Sequence, residues 1–471
     1  MSDLDLDRLP IPDAHASYRL YRFGVAGLVA TFSWFLYQTG GDVGMHTVLG
    51  LGILLLASVP ALQWALRART WFPAFEISML TCVAFYAFPL LSNHAELAHY
   101  SDTVINEAGL LVLFYLGTAL MGFSSLRQPP RPPSWVTTSL LPEQAYRYIS
   151  GGMLLNTCYL YIVNFTSLIP GNLTGTFRAL FFGVGILATF VLARLWGLER
   201  LPRKRVIFVC VNLTLQVILL FSQLYLISGI SLLALALIAY ASARRKVPWL
   251  VVVAILPILG FLHLGKSEMR RQFWEEKRPA PTPLELPAFF QEWFTYSVAA
   301  KEEDETRSSL VERASLIQML CLSVDRVPSI RPYLNGESYV DIPAQFIPRP
   351  LWPGKPSSLL ANIRLAIHFN LVDPDDPYSV SIAFGIISEA YVNFGLIGVL
   401  LLGFMFGLVF KYFALLSQSA PQFSAVGIFM ILLTAWSFQA ELVLATWLAS
   451  LFQAAVVCVG IPLGYRFVTN R

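Results

Sequence analysis

The sequence predicts an all-α polytopic membrane protein with about twelve transmembrane helices and one large loop outside the membrane. Hydrophobic residues make up 56% of the 471 residues and charged residues only 13%, and the mean hydropathy is +0.61. A soluble chain of this length needs a far more charged surface. The apolar residues also form blocks long enough to cross about 30 Å of hydrocarbon, whereas a transmembrane β-barrel has short alternating segments.

The apolar blocks define the predicted spans. Residues 1–12 are polar and carry three aspartates, so they lack the basic start of a cleavable signal peptide, and we expect the first block to be kept as a span. The seventh and eighth blocks share one apolar stretch broken only at Ser228-Gly229, which allows a tight hairpin or one long tilted helix. The predicted spans are 23–38, 48–66, 74–91, 108–126, 148–168, 179–198, 206–225, 227–243, 249–264, 390–413, 423–440 and 442–467.

Basic residues between the spans predict the orientation of the chain. Alternate loops carry the Lys and Arg residues, and the opposite loops are poor in them, as at residues 92–107. This asymmetry predicts cytoplasmic termini and a large loop outside the cytoplasm. The predicted organisation is an N-terminal bundle of about nine spans (1–264), a loop subdomain (265–388) and C-terminal transmembrane helices (389–471).

The large loop is predicted to contain two helices and a stiff extended segment. Helical patterns cover 284–300 and 306–325, and the first is rich in aromatic rings, which suits an interfacial helix without chemistry. Four prolines within residues 346–356, a segment that we name the strap, forbid a regular helix. Its Arg349 and Lys355 can hold an anionic group such as a phosphate. Alternatively both cations touch lipid headgroups, with Trp352 in the aromatic belt.

Several other polar residues are candidates for chemistry. His368 in the loop can act as a base near neutral pH, or it is simply solvated. Glu389 and Asn393 share one helix face at the mouth of the tenth span. A carboxylate there is costly unless it is paired or faces a wet cavity, so we expect Glu389 to pair with a loop arginine or to act as a base. Arg178 stands at the outer start of the sixth span, where it binds a ligand or snorkels to the headgroups.

The cations, rings and carboxylates together suggest a substrate with a lipid tail, a phosphate or pyrophosphate link and a sugar head. Arg313, in the second predicted loop helix, is a third loop cation for the same site. The five cysteines have no spacing that indicates a metal site or a disulfide, so we expect no metal and no cofactor.

A resemblance to a known family rests on motifs in the second half of the chain. These motifs are Arg313 in a loop helix, Gly336-Glu-Ser-Tyr339, Ile347-Pro-Arg-Pro-Leu-Trp-Pro-Gly-Lys-Pro356 and Ser388-Glu-Ala-Tyr-Val-Asn-Phe-Gly395. In this order the sequence resembles the Wzy-type bacterial polysaccharide polymerases (the oligosaccharide repeat unit polymerase family), which are related to the O-antigen ligases. The first half matches only in topology.

The resemblance implies a GT-C-like helix arrangement and a metal-independent glycosyltransferase in the bacterial inner membrane. Its substrates would be undecaprenyl-pyrophosphate-linked oligosaccharides, its loop would be periplasmic, and a chain-length regulator would be a candidate partner; nucleic acid would not be one. Cations would stabilise the pyrophosphate leaving group, and His368 or Glu389 would be the base. The pyrophosphate-binding candidates are Arg178, Arg313, Arg349, Lys355 and Arg364, and the glycan-binding candidates are Tyr339, Trp352, Tyr391 and Asn393.

Three other functions remain open from the sequence. An O-antigen ligase performs the same chemistry on a lipid A core acceptor. A transporter or flippase binds a lipid-linked glycan without reacting, although one large loop is unlike the repeat-related halves of such proteins. A protein that supports envelope biogenesis by interaction alone is the third alternative.

Overall fold

The structure is a computed structural model built almost entirely of helices. It describes residues 14–38, 43–67, 72–92, 94–128, 132–140, 145–166, 168–169, 171–224, 226–276, 278–303, 315–347, 351–375, 382–418 and 420–469. Within these ranges the β contact is one isolated bridge between Ser139 and Ser424. The helices are α1 (Ala14–Gln38), α2 (Met45–Arg67), α3 (Ala74–Cys82), α4 (Phe88–Leu91), α5 (Asp102–Ser125), α6 (Ser134–Thr137), α7 (Ala145–Phe165), α8 (Gly171–Gly197), α9 (Arg203–Phe221), α10 (Leu226–Arg244), α11 (Trp249–Leu264), α12 (Lys266–Arg270), α13 (Leu286–Glu303), α14 (Ile317–Arg326), α15 (Ile342–Gln345), α16 (Leu360–His368), α17 (Gly385–Gln418), α18 (Ala425–Trp436), α19 (Leu444–Ala455) and α20 (Ile461–Thr469).

Eight segments of the described chain are long and apolar enough to cross a membrane, so the protein is a helical polytopic membrane protein. Helices α11 and α18 are apolar but shorter, and α1 and α7 are outside the eight. Each predicted span overlaps a helix. The sequence predicts about twelve crossings, whereas eight helical segments of the described chain are long and apolar enough to cross a membrane. The eight segments are Met45–Leu66, Ala74–Leu91, Asp102–Ser125, Leu180–Gly197, Arg203–Phe221, Leu226–Arg244, Gly385–Gln418 and Leu444–Thr469.

The most extensive helix–helix contact joins α5 and α17. Small residues bring the two backbones together: a methyl group at Gly407 would overlap the carbonyl of Ala119, and one at Gly122 would overlap that of Phe404. Such small-residue seams are typical of helix packing in lipid. Helix α18 lies in the core, and all of its residues except Phe429 are buried. Its twelve residues are fewer than the predicted span 423–440, because the chain turns after Trp436.

The seventh and eighth predicted spans are two separate helices, α9 and α10, as the hairpin interpretation expects. The predicted break at Ser228-Gly229 is wrong, because these residues lie inside α10 and the turn follows Phe221. Asn164 of α7 stabilises that turn by donating to the carbonyl of Leu219 at 2.6 Å. Gly229 instead allows close packing, since a methyl group there would overlap the ring of Phe221.

Helix α13 corresponds to the aromatic loop helix predicted at 284–300. Its Trp293 is fully buried and donates from Nε1 to the carbonyl of Leu262 in α11 at 2.7 Å. Phe294 remains more than half exposed, with its ring centroid 4.7 Å from that of Phe261, also in α11. The helix therefore packs on the bundle by one face, as an amphipathic surface helix does.

The rest of the loop subdomain is docked on one end of the bundle, which we name the loop end. Of the second predicted loop helix (306–325), the structure describes only the later part, where α14 begins at Ile317; residues 304–314 lie outside the described residues. The carbonyl of Phe85 lies in a π-helical turn (Val83–Ala87) and accepts from the backbone N–H of Leu316 at 3.1 Å. The loop is thus bonded directly to a distorted transmembrane helix.

Candidate functional site

Helix α17 is broken ten residues after its start, at the loop end of the bundle. Gly395 has φ 60° and ψ −148°, a combination that is essentially restricted to glycine. The break leaves carbonyls without helical partners, and the loop supplies donors for them. The backbone N–H of Leu334 donates to the carbonyl of Val392 at 3.0 Å, and that of Asn335 donates to the carbonyl of Asn393 at 3.1 Å. Irregular backbone near the membrane is thereby satisfied by protein.

The Asn393 side chain fixes the same loop from inside the bundle. It is fully buried, and its Oδ1 accepts from the backbone N–H of Gly336 at 2.9 Å. Its Nδ2 donates to the hydroxyl of Ser338 and to the carbonyl of Glu389, both at 2.8 Å. We name this contact between residues 334–338 and 389–395 the junction.

Glu389 is the fully buried carboxylate of the junction, whereas Glu337 is exposed. Ser338 donates from Oγ to one carboxylate oxygen at 2.9 Å, and the backbone N–H of Leu444 donates to the other at 2.7 Å. None of the described loop arginines is its partner, and Arg313 and Arg349 lie outside the described residues, so the pairing with a loop arginine stays a prediction. A serine and a helix N-terminus satisfy the carboxylate instead. The predicted shared face of Glu389 and Asn393 is confirmed.

Tyrosine side chains surround the junction. The hydroxyl of Tyr391 donates to the carbonyl of Val327 at 3.3 Å, and the side chain is buried. Tyr339 stacks on Phe394 with ring centroids 6.2 Å apart, and burial, followed by the charge of Glu389, raises its pKa well above the usual value. Tyr391 and Asn393 are both enclosed here, so their predicted glycan contacts stay predictions, with Tyr339 the more accessible of the tyrosines.

Helix α16 presents two of the predicted site residues on one face, four residues apart. Arg364 forms an ion pair with Asp341 at 2.7 Å and donates to the carbonyl of Glu337 at 3.0 Å. Its side chain remains 28% exposed. A guanidinium anchored on one side and open on the other is suited to bind a phosphate.

His368 follows on the same face, and its Nε2 is enclosed with no hydrogen-bond partner among the described residues. Burial lowers the pKa of His368, and the nearby charge of Arg331 lowers it further, against opposing effects of Glu337 and the Pro332 carbonyl. The imidazole is therefore neutral at neutral pH and can accept a proton. A base role requires access to Nε2.

The strap residues have two different environments. Lys355 is buried, and its ammonium donates to the carbonyl of Ile347 at 2.8 Å and to that of Gln345 at 3.4 Å. Trp352 is exposed. Lys355 is thus engaged within the strap, and its predicted contact with pyrophosphate stays a prediction. Arg349 lies outside the described residues.

The remaining predicted cations are not brought to this site by described contacts. Arg178 is an exposed residue of α8, a helix that packs on α7, α10 and α19. Arg313 lies outside the described residues. The structure therefore brings together the junction and the α16 face, which the carbonyl of Glu337 connects to Arg364.

Sequence reasoning missed three residues of this region. Asp341 is the partner of Arg364, Arg331 is the charge beside His368, and Leu444 caps Glu389. Asp341 and Arg331 stand in the loop between the quoted motifs, where residue type alone gives no reason to choose them. The Leu444 contact is made by backbone, so no side-chain pattern indicates it.

No group of three His, Cys, Asp or Glu side chains in the described part of the chain is arranged to hold a metal ion. A cavity of about 30 Å³ lies between α3, α5, α17, α18 and α19, and Tyr86, Tyr115 and Trp436 are among its lining residues. It has room for one or two water molecules.

The fold and this site define a helical polytopic membrane protein whose large loop is bonded to the broken end of a long transmembrane helix. The chain belongs to the family described as a domain of unknown function (DUF8712), which matches residues 153–438. That match extends from α7 to the turn after α18 and includes the junction, the strap and the α16 face. No curated protein and no solved structure matches the chain.

Proposed function

We propose that this protein is a Wzy-type polymerase of bacterial surface polysaccharide. It transfers a growing glycan from undecaprenyl pyrophosphate to the next lipid-linked repeat unit at the periplasmic face of the inner membrane. In this proposal the chain has about twelve spans in a GT-C-like arrangement, with both termini in the cytoplasm. The undecaprenyl-linked oligosaccharide is the substrate, and a chain-length regulator is a candidate partner.

One observation carries the proposal. Two segments on which the resemblance rests, 336–339 and 388–395, are about fifty residues apart in the sequence, yet Ser338 donates to Glu389 and Gly336 donates to Asn393. The motifs therefore form one structural unit at the loop end, next to the partly exposed guanidinium of Arg364. A glycosyl transfer from a lipid carrier needs such a cationic surface beside the membrane.

The proposed reaction is a displacement at the anomeric carbon of the donor glycan. A hydroxyl oxygen of the acceptor forms a bond to that carbon, and the bond from the carbon to the pyrophosphate oxygen breaks. The electron pair leaves with undecaprenyl pyrophosphate, whose charge Arg364 stabilises together with Arg349 and Arg313. The hydroxyl proton passes to a base.

His368 is the better base of the two sequence candidates. Both carboxylate oxygens of Glu389 accept hydrogen bonds from the chain, so its role is to hold the loop on α17. The imidazole of His368 is neutral, and its Nε2 has no hydrogen-bond partner in the described residues. A base within reach of the acceptor typically contributes about a hundredfold or more to the rate.

The test is reconstitution of the purified protein in nanodiscs with a lipid-linked repeat unit and no other enzyme. We expect a ladder of glycan products that Arg349→Ala and Arg364→Ala abolish. Arg278→Ala is the matched control, because Arg278 is an exposed loop arginine paired with Glu292, away from the junction. His368→Gln should lower the rate of transfer without lowering the affinity for the donor.

The alternatives give different results in the same assay. Transfer of the glycan onto a lipid A core without a ladder identifies an O-antigen ligase. Tight binding of intact substrate without transfer to either acceptor contradicts an enzyme and favours a transporter or flippase. A folded protein that neither binds nor transfers the substrate would leave a role in envelope biogenesis by interaction alone.

A further inference from the structure

The strap and the end of α15 expose large apolar side chains although they belong to the extramembrane loop of the predicted topology. Leu351 is 79% exposed, and Phe346, Ile347 and Trp352 are each exposed by about two fifths. Large side chains of this kind rarely cluster on a surface that faces water. Their position along the bundle indicates what covers them.

Contacts with α19 place Phe346 at a depth within the membrane. Its ring packs on Phe452 with centroids 5.1 Å apart. Fourteen residues further along α19 and α20, Arg466 donates to the carbonyl of Ser139 at the opposite end of the bundle. At about 1.5 Å per residue the two levels are about 21 Å apart, less than the hydrocarbon thickness of about 30 Å. With Arg466 at the polar boundary of the opposite leaflet, Phe346 lies at the level of the hydrocarbon on the loop-end side of the bilayer.

A second contact gives a similar depth on a different helix. Tyr339 stacks on Phe394, which precedes Lys411 by seventeen residues of α17. The ammonium of Lys411 lies 4.7 Å from the ring of Phe123, near the end of α5 that is opposite to the loop end. The corresponding distance is about 25 Å. The segment from Tyr339 to Phe346 thus follows the outside of α17 and α19 at one level, near the boundary between hydrocarbon and headgroups.

Lys355 holds the two arms of the strap together at that level. Its ammonium donates to the carbonyls of Ile347 and Gln345, and the side-chain amide of Gln345 donates to the carbonyl of Pro356 at 3.3 Å. These bonds bring the turn that contains Trp352 beside Phe346 and Ile347. They also provide hydrogen-bond donors for carbonyls of irregular backbone. Inside a bilayer such carbonyls need protein donors, whereas in water the solvent can supply them.

We propose that the described part of the strap (residues 346–347 and 351–356) is seated in the lipid leaflet at the loop end, where Phe346, Ile347, Leu351 and Trp352 contact acyl chains. The apolar exterior of α19 continues directly into this surface through the Phe346–Phe452 contact. Trp352 sits at the polar boundary, as tryptophan does in transmembrane proteins. The partner of this surface is the hydrocarbon of the bilayer. The contact with lipid does not depend on whether the protein transfers glycans.

The experiment places one nitroxide label on the strap of the full chain in nanodiscs. Leu351→Cys is made in a background in which the five native cysteines are replaced, and collisions with oxygen and with a water-soluble nickel chelate are compared. The control is Asp375→Cys, an exposed position of the loop subdomain. We expect oxygen to dominate at position 351 by at least tenfold relative to position 375.

Two outcomes overturn the proposal. Equal access of the nickel chelate to both positions places the strap in water, and low access of both reagents at position 351 means that protein covers it, as in a second copy of the chain. If the cysteine-free background does not fold, a benzophenone amino acid at position 351 of the native chain gives the answer. Photoadducts with lipid support the proposal, whereas adducts with protein only, or recovery of the unreacted benzophenone that a position in water leaves, overturn it. Neither measurement uses a glycan substrate, so failure of the polymerase proposal leaves the result unaffected.

Discussion

Substitution of Asn393 tests whether the junction holds the loop on α17. In Asn393→Ala the loop loses two hydrogen bonds to α17: the one from the N–H of Gly336 and the one to the hydroxyl of Ser338. The third bond, to the carbonyl of Glu389, lies within α17 and does not depend on the loop being docked. Only the first two therefore contribute to the docked state.

The size of the effect follows from these two bonds and their burial. Each bond contributes about 1 kcal/mol net, and the N–H of Gly336, left without an acceptor in the docked state, costs about 1 kcal/mol more. A loss of about 3 kcal/mol raises the population of the undocked loop about a hundredfold. The backbone bonds of Leu334 and Asn335 remain, so the loop should still dock most of the time.

Hydrogen–deuterium exchange of a peptide covering residues 333–340 measures this population in nanodiscs, because exchange through local opening follows its free energy. We expect exchange about a hundredfold faster in Asn393→Ala and unchanged exchange in α18. Asn106→Ala is the matched control, since the side-chain oxygen of Asn106 is buried and has no hydrogen-bond partner among the described residues. Exchange within threefold of the wild type, or an equal rise in the control, would refute the reasoning.

Three further predictions concern pH, backbone conformation and the strap. Because folding lowers the pKa of His368 from its usual 6.5, the unfolded loop binds more protons than the folded loop below that pH. The stabilising contribution of His368 is therefore full above about pH 6.5 and falls as the pH drops below it. Thermal unfolding should show this pH dependence, and His368→Gln should abolish it. Gly395→Ala should lower the free energy of unfolding by about 3 kcal/mol, because φ is 60° and the new methyl group would lie 2.9 Å from a tyrosine hydroxyl. In the control Gly460→Ala the new methyl group has no neighbour closer than 4.0 Å, so the unfolding temperature should not change. Lys355→Met removes two charged hydrogen bonds and should speed deuterium exchange in the strap by about tenfold or more, whereas the exposed Lys246→Met should not; equal exchange in the two variants would contradict a clamping role.

The helices of the bundle follow from local composition, and the places where prediction fails involve contacts between distant residues. The predicted span 249–264 matches α11 residue for residue, because an apolar run between a proline and a glycine needs no other information. The turn after Phe221 depends on Asn164, more than fifty residues earlier, and hydropathy cannot identify such a partner. For the same reason Gly229 was interpreted as a break although it serves packing.

The site was predictable as a set of motifs but not as a geometry. The four-residue spacing of Glu389 and Asn393 correctly placed them on one face, since helical periodicity fixes it. The sequence predicts either an arginine partner or a base role for Glu389, because a buried carboxylate needs compensation, and it cannot show that Ser338 and a backbone N–H donate to the two carboxylate oxygens. The roles of Arg349 and Arg313 remain predictions.

The break in α17 has a consequence for the order in which the protein is made. Synthesis proceeds from the N-terminus, so Leu334 and Asn335 leave the ribosome almost sixty residues before the carbonyls of Val392 and Asn393 that will accept their hydrogen bonds. Until α17 enters the bilayer, these backbone donors have only water as a partner. Completion of the loop subdomain therefore waits for insertion of a later helix, and a truncation before residue 385 should leave the nascent loop open to proteases.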